Sequence, residues 1–357
     1  MKLAVIGAGH GGYTIAASST LRGHEVCLYE MPSFKHNLDP ILERGGIELS
    51  GADKEGFAKI ENITTDIGKA IRGVKVIMVC TNSNAHKTIA ELCAPYLEDG
   101  QIIILLPGNL GSLEFAKILK EKGIKIDEKD IKIAETPTLP YACRRVIGQA
   151  RTKINLPTTE LAVSAFPAKD THKVIDDLES LKGILDLYPG RNVIEVGLSN
   201  PNITGHVAGT ILNTGYIEAS KGNFKLWKQG MSPSVLRGIQ AVFKEKDAIF
   251  EKLGGYKDYY PFEALEEVLA SPTFIESWGP PDMKFRYITE DTPNGMVSLA
   301  SLGDMIDVPT PVIKSFITIA SMINETDYWK EGRTVERLGI SGLSVEELNR
   351  FLENGEL

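Results

Sequence analysis

Short apolar runs alternate with amphipathic stretches over the first half of the chain. Lys2–Ile6, His24–Tyr29, Val74–Cys80, Gln101–Leu106, Ile131–Glu135 and Glu160–Phe166 are strand-sized and dominated by apolar residues. Helix-compatible segments lie between the earlier ones: Gly12–Leu21, then about 85–96, then about 112–122. Strands that are apolar throughout have no wet face, so they predict a parallel sheet covered on both sides by helices. The pattern changes after Tyr188-Pro189-Gly190-Arg191. From about residue 200 the segments are mostly helical: Ile203–Ser220, Ser232–Leu253, Phe262–Leu269, Met296–Leu302 and Pro311–Ile323. Strand–helix units followed by a run of helices predict an α/β chain of two domains. The first is a doubly wound parallel sheet over residues 1–188, the second a mostly α-helical domain over 189–357. Ser344–Leu352 predicts a short closing helix, with Ser344 as N-cap and Glu347 three residues on as its capping-box partner.

Length and charge narrow the function classes. At 357 residues the chain exceeds one ordinary core, in keeping with two domains. The formal net charge is −8 with no basic cluster, which argues against nucleic acid or an anionic membrane surface as partner. No run approaches the ~18 uninterrupted apolar residues of a membrane span. The N-terminal apolar run is broken by glycine after Ile6, so it reads as a strand and not as a signal-peptide core. Cys27, Cys80, Cys93 and Cys143 form no CxxC pair, and the expectation is reduced structural thiols in a cytoplasmic protein. No metal site is expected.

The first chemistry-bearing motif is Gly7-Ala8-Gly9-His10-Gly11-Gly12, between a strand and a helix. In that setting GxGxxG is the Rossmann-type dinucleotide loop. Gly7 allows the tight turn, Gly9 lets backbone approach a pyrophosphate, and Gly12 lets helix and strand pack closely. The helix N-terminus then offers N–H groups to phosphate. Glu30 ends the next strand, 18 residues past Gly12, at the spacing of a carboxylate that accepts from a ribose 2′-hydroxyl. A carboxylate there repels a 2′-phosphate, and no Arg follows at once although Lys35 is near, so NAD is expected over NADP. Glu30 also fits a solvated strand end. Thr81-Asn82-Ser83, Pro107-Gly108-Asn109 and Glu135-Thr136-Pro137-Thr138 end later strands, where a doubly wound sheet binds its ligand, and Thr81 is expected to face the cofactor. Each also fits an ordinary turn.

A dehydrogenase needs a proton donor or acceptor, most often histidine. Of six histidines, His206 follows Asn200-Pro201-Asn202 at the start of the second domain's first helix. Helical spacing puts His206, Thr210 and Asn213 on one stripe. A hydrogen-bonded interior histidine fits the same position.

Several segments together resemble the octopine/nopaline (opine) dehydrogenase family. They are the glycine loop, Glu135-Thr136-Pro137-Thr138-Leu139-Pro140-Tyr141-Ala142-Cys143-Arg144, Asn200-Pro201-Asn202 running to His206 and Leu212-Asn213-Thr214-Gly215, and Arg286-Tyr287-Ile288-Thr289-Glu290-Asp291-Thr292-Pro293. The chain departs from the family pattern at Val207, Thr292 and Gly295-Met296-Val297-Ser298. The resemblance implies an NAD(P)-dependent enzyme that joins an α-keto acid to the amine of an amino acid and reduces the imine. It implies His206 and Asp291 as catalytic pair, and Thr138 beside His206 as substrate-binding residues. Arg144, Arg145 and Arg286 are further candidates for carboxylate partners. A homodimer through the helical domain is a possible assembly. Two other readings share the two-domain plan: an NAD-dependent 2-hydroxyacid or polyol-phosphate dehydrogenase, and a catalytically silent nucleotide-binding sensor.

Overall fold

The glycine loop lies between β1 (Lys2–Ile6) and helix α1 (His10–Leu21) in a computed structural model that describes every residue except 158, 159, 272–274, 277 and 357. The last residue expected in the helical domain therefore lies outside the described residues. By its contacts the chain divides into one unit of residues 1–193 with 352–355, and another of residues 194–351 with 356–357.

The first unit carries the strands β2 (Glu25–Tyr29), β3 (Gly46–Gly51), β4 (Gly56–Lys59), β5 (Asn62–Thr64), β6 (Val76–Val79), β7 (Ile102–Leu105), β8 (Lys132–Glu135), β9 (Tyr141–Arg145), β10 (Arg151–Pro157), β11 (Leu161–Phe166) and β12 (Leu187–Pro189). Eight of them form one sheet in the order β12-β11-β8-β7-β6-β1-β2-β5. Leu3 pairs with Val26 on one side and Val76 on the other, and Val76 pairs with Ile102, all in parallel. β6 and β7 are buried along their whole length, which explains why they read as unbroken apolar runs. β1 is the switch point: the strand order runs one way to β2 and the other way to β6, the place where a doubly wound sheet takes its ligand at the carboxyl ends.

Two features differ from the expected architecture. β11 pairs antiparallel with β8, so the sheet is mixed. The chain reaches β11 by way of β9 and β10, an antiparallel pair, and not by a crossover helix. Those two strands belong to a second sheet, β4-β3-β10-β9, which sequence reasoning did not anticipate. β10 alternates exposed and buried residues along RTKINLP and so lacks a continuous apolar run. This sheet docks on α1 through hydroxyls: Thr14 meets Thr152 at 2.7 Å, and Ser18 meets Tyr141 at 3.0 Å.

In the helical unit the main elements are α2 (Pro201–Ile211), α3 (Pro233–Lys252), α4 (Val297–Met305) and α5 (Pro311–Asn324). The expected helix 203–220 is broken after Ile211. Asn213 Nδ2 donates to the Gly209 and Gly230 carbonyls, and a separate helix, Thr214–Ser220, follows. The closing helix runs Val345–Asn354, and its capping box is present: Glu347 N–H donates to Ser344 Oγ at 3.3 Å, and Ser344 N–H donates to Glu347 Oε2 at 2.9 Å. Among the described residues no helix is long and apolar enough to cross a membrane.

Candidate active site

The turn after β1 requires its glycines in two places. Gly7 has φ +101°, a left-handed conformation, and a Cβ there would lie 3.0 Å from Thr81 Cγ2 and 3.1 Å from the Cys80 carbonyl. A Cβ on Gly12 would lie 1.7 Å from the Gly7 carbonyl oxygen. Between them, a Cβ added at Gly9 would meet nothing within 4 Å, so the backbone there faces open space. An open backbone at the first turn of α1 is the arrangement a pyrophosphate needs. Thr81 adds a buried hydroxyl with no hydrogen-bond partner among the described residues. These features fit a dinucleotide.

Glu30 is not a solvated strand end. It is buried, and its carboxylate accepts from the Ala8 N–H at 3.0 Å, the Met31 N–H at 2.8 Å and Asn37 Nδ2 at 3.0 Å. One bond comes from the glycine loop itself, so Glu30 shapes that loop. His10 is exposed, and its Nδ1 accepts from the Arg145 N–H at 3.0 Å. Its carbonyl receives the Cys143 thiol at 3.4 Å. Burial pushes the Cys27 thiol up to about 11 and the Cys93 thiol to about 12, so both are inert thiols at neutral pH.

The three strand-end segments are tied together. Asn109 Nδ2 donates to Ser83 Oγ at 2.9 Å. Glu135, fully buried, accepts from the Leu110 and Ser112 N–H groups at 2.9 Å and from Ser112 Oγ at 2.5 Å. It holds the turn in which Asn109 and Leu110 adopt positive φ. Sequence reasoning gave Glu135 no role, because a carboxylate that accepts backbone N–H groups carries no spacing signature. Thr138 is half-buried, and its hydroxyl donates to the Leu139 carbonyl at 3.1 Å.

In the helical unit the Asn-Pro-Asn segment is a helix start. The Asn200 side chain accepts from the Asn202 N–H at 3.0 Å, and Pro201 occupies the first helical position, where no N–H is needed. That start sets the phase of α2 and buries His206, which is 5% exposed. His206 Nδ1 lies 2.8 Å from Asp291 Oδ2, and Asp291 is 1% exposed. The Tyr287 ring stacks on the imidazole at 3.5 Å between centroids and 13° between planes, and Trp227 lies 5.9 Å away. The neighbouring acids are used differently. Glu290 pairs with Arg286 at 3.3 Å, while Asp291 turns to the histidine. Asp291 leads into one wide turn, Thr292–Met296, of the π type that often marks functional sites.

Burial pushes the Asp291 carboxyl up to about 7, and the Arg286 guanidinium pulls in the other direction. A buried carboxyl raised toward neutrality beside an imidazole is the kind of perturbed pair that clusters at functional sites. Two hydroxyls close by in the chain, Thr210 one turn after His206 and Thr292 next to Asp291, are buried without hydrogen-bond partners among the described residues. Of the expected stripe, His206 and Thr210 stay on α2, while Asn213 closes the helix end. Among the described residues no group of three or more His, Cys, Asp or Glu could hold a metal ion.

Residues 189–324 match the family of the NAD/NADP octopine/nopaline dehydrogenase alpha-helical domain. An opine dehydrogenase of Arthrobacter sp. (strain 1C) is 32% identical over 98% of both chains. A vitopine synthase of Allorhizobium ampelinum is 26% identical over 98% of this chain and 99% of its own. Among solved structures, octopine dehydrogenase with NADH and L-arginine superimposes with a TM-score of 0.75 at 19% identity, over 100% of this chain and 98% of that one. NADP+-bound yersinopine dehydrogenase gives a TM-score of 0.69 at 14% identity, over 99% and 97%.

Proposed function

Because the chain belongs to the opine dehydrogenase family, we propose that it condenses an α-keto acid with the amine of an amino acid and reduces the resulting imine, with NADH preferred to NADPH. The observation that carries this reading is the buried His206–Asp291 pair at 2.8 Å, in a family of NAD(P)-dependent dehydrogenases. Octopine dehydrogenase has been solved with NADH together with L-arginine, and also with pyruvate, so a keto acid and an amino acid are the substrate classes to expect.

The glycine loop and the open backbone at Gly9 would hold the pyrophosphate, Glu30 a ribose hydroxyl, and Thr81 another polar group of the cofactor. When bound, the reduced nicotinamide supplies a hydride. His206 supplies the proton. With Nδ1 committed to Asp291, Nε2 is the nitrogen that exchanges a proton with the carbonyl oxygen or the imine nitrogen. Asp291 fixes the tautomer and stabilises the imidazolium. Tyr287 limits rotation of the ring by stacking on it. Thr138 is the proposed partner of the keto-acid carboxylate, and its hydroxyl hydrogen must turn from the Leu139 carbonyl to reach it.

Following NADH absorbance with a keto acid, alone and with a panel of amino acids, tests the reading. Oxidation that needs both substrates is expected. Oxidation by the keto acid alone would instead mark a hydroxyacid dehydrogenase, and NADH binding without oxidation a sensor. Cofactor choice has its own test. Glu30→Ser removes the charge facing the ribose and is expected to narrow the gap between NADH and NADPH affinities by about tenfold, the scale of one charge-assisted contact. Fluorescence titration of both cofactors measures it, and an unchanged ratio would remove Glu30 from cofactor selection.

A further inference from the structure

The second sheet brings an arginine to the ribose end of the glycine loop. Arg145 ends β9, and its side chain crosses to the residues that surround Glu30. One Nη donates to the Ala8 carbonyl at 3.1 Å, the other to Asn37 Oδ1 at 2.6 Å, and the guanidinium lies 4.9 Å over the Tyr13 ring. The Tyr13 hydroxyl in turn donates to the Asn37 carbonyl. Asn37 therefore stands between two opposite charges, with its Nδ2 on Glu30 and its Oδ1 on Arg145.

The two charged groups are unequally satisfied. A carboxylate offers about four acceptor sites. Glu30 uses three of them, on Ala8, Met31 and Asn37. The fourth suffices for one ribose hydroxyl. A guanidinium has five N–H donors; the Arg145 side chain uses two on the Ala8 carbonyl and Asn37 and also bonds the Tyr13 hydroxyl, which leaves donors to spare. Among the described residues no carboxylate pairs with it, although it is half-buried. A half-buried cation with spare donors, fixed by packing against an aromatic face, is prepared for an anion and suits phosphate in particular.

Resting on the cofactor reading above, we infer that Arg145 is a specificity-determining residue: its spare N–H groups take the 2′-phosphate of NADPH, offsetting Glu30 and making the chain tolerant of both dinucleotides. The glutamate and the arginine then act in opposition through Asn37. Glu30 favours the 2′-hydroxyl of NADH, and Arg145 limits the penalty for a phosphate at the same carbon.

The test is direct binding, which does not depend on turnover. NADH and NADPH are titrated by fluorescence against the wild type, Arg145→Gln, Glu30→Ser and the double variant. Glutamine keeps a donor for the Ala8 or Asn37 oxygen and loses the charge. Arg145→Gln is expected to weaken NADPH about tenfold or more while NADH stays within about threefold, the scale of a charge-assisted hydrogen bond. A second measurement uses the unaltered protein: 2′,5′-ADP should displace NADH at a concentration within about tenfold of that needed for 5′-AMP. Equal weakening of both cofactors by Arg145→Gln would make the arginine a structural brace of the loop and overturn the inference. So would failure of 2′,5′-ADP to displace NADH at about a hundredfold the 5′-AMP concentration. If the wild type binds neither NADH nor NADPH, the cofactor reading itself fails, a result distinct from either of these.

Discussion

Replacing His206 with glutamine is expected to lower turnover by about 10²–10⁴, the usual contribution of general acid–base catalysis, and to leave NADH affinity within about threefold. The two halves of this expectation have separate grounds. The glycine loop, Glu30 and Thr81 belong to residues 1–193, whereas His206 belongs to the helical unit, so removing the ring subtracts nothing from the cradle. Glutamine fills much of the same volume and can still bond to Asp291, so a core defect is kept small. It has no group that gives and regains a proton near neutral pH. The measurement is single-turnover NADH oxidation beside a cofactor titration, with a deuteride isotope effect to show that hydride transfer limits the rate. Turnover within a few-fold of wild type under that condition would return His206 to the role of a satisfied interior histidine. Pre-steady-state rates matter because slow product release would hide a loss in the chemical step.

The parts of this molecule that were legible in the sequence are those with a short-range signature. β6 and β7, and β1 from Leu3 on, read as strands because burial on both faces demands apolar residues. The glycine loop was legible because its constraint is local: only glycine fits where a Cβ would meet the Gly7 carbonyl. The Ser344–Glu347 capping box follows the same logic. The second sheet was not legible. β10 alternates in burial and so carries no unbroken apolar run, and polar hydroxyl contacts to α1 join residues over a hundred positions apart, such as Thr14 and Thr152. Arg145 was visible as one arginine among several. Its place beside Asn37 and Ala8 depends on how β9 docks, which no spacing rule encodes. Position and helical stripe alone left His206 open between ligand and core. The carboxylate that meets it lies 85 residues away, and family resemblance, not periodicity, pointed to it.

That pairing makes a sharper demand of Asp291 and its neighbour. Asp291→Asn is expected to keep the fold, lower turnover by about 10²–10⁴, and move the alkaline limb of the reductive pH–rate profile to lower pH. The sign follows from charge. Burial holds the wild-type Asp291 carboxyl up to about 7, and it lies against the His206 ring. When the ring is protonated, the ionised carboxylate 2.8 Å away stabilises it. Asparagine removes that negative charge from beside the ring, so the protonated ring is disfavoured and its apparent pKa falls. Reduction of the imine consumes a proton from the ring, and the rate therefore declines earlier as pH rises. Glu290→Gln is the matched control, because it changes an adjacent acid by the same chemistry. Glu290 pairs with half-buried Arg286 and is not the partner of Nδ1, so its loss is expected to cost less than about tenfold and to shift the profile less. The measurement is a pH–rate profile of the wild type and both variants at saturating cofactor and substrates, with thermal melts to confirm folding. A large loss and shift in Glu290→Gln, with Asp291→Asn near wild type, would reverse the roles of the two acids and detach His206 from the proton relay described for it.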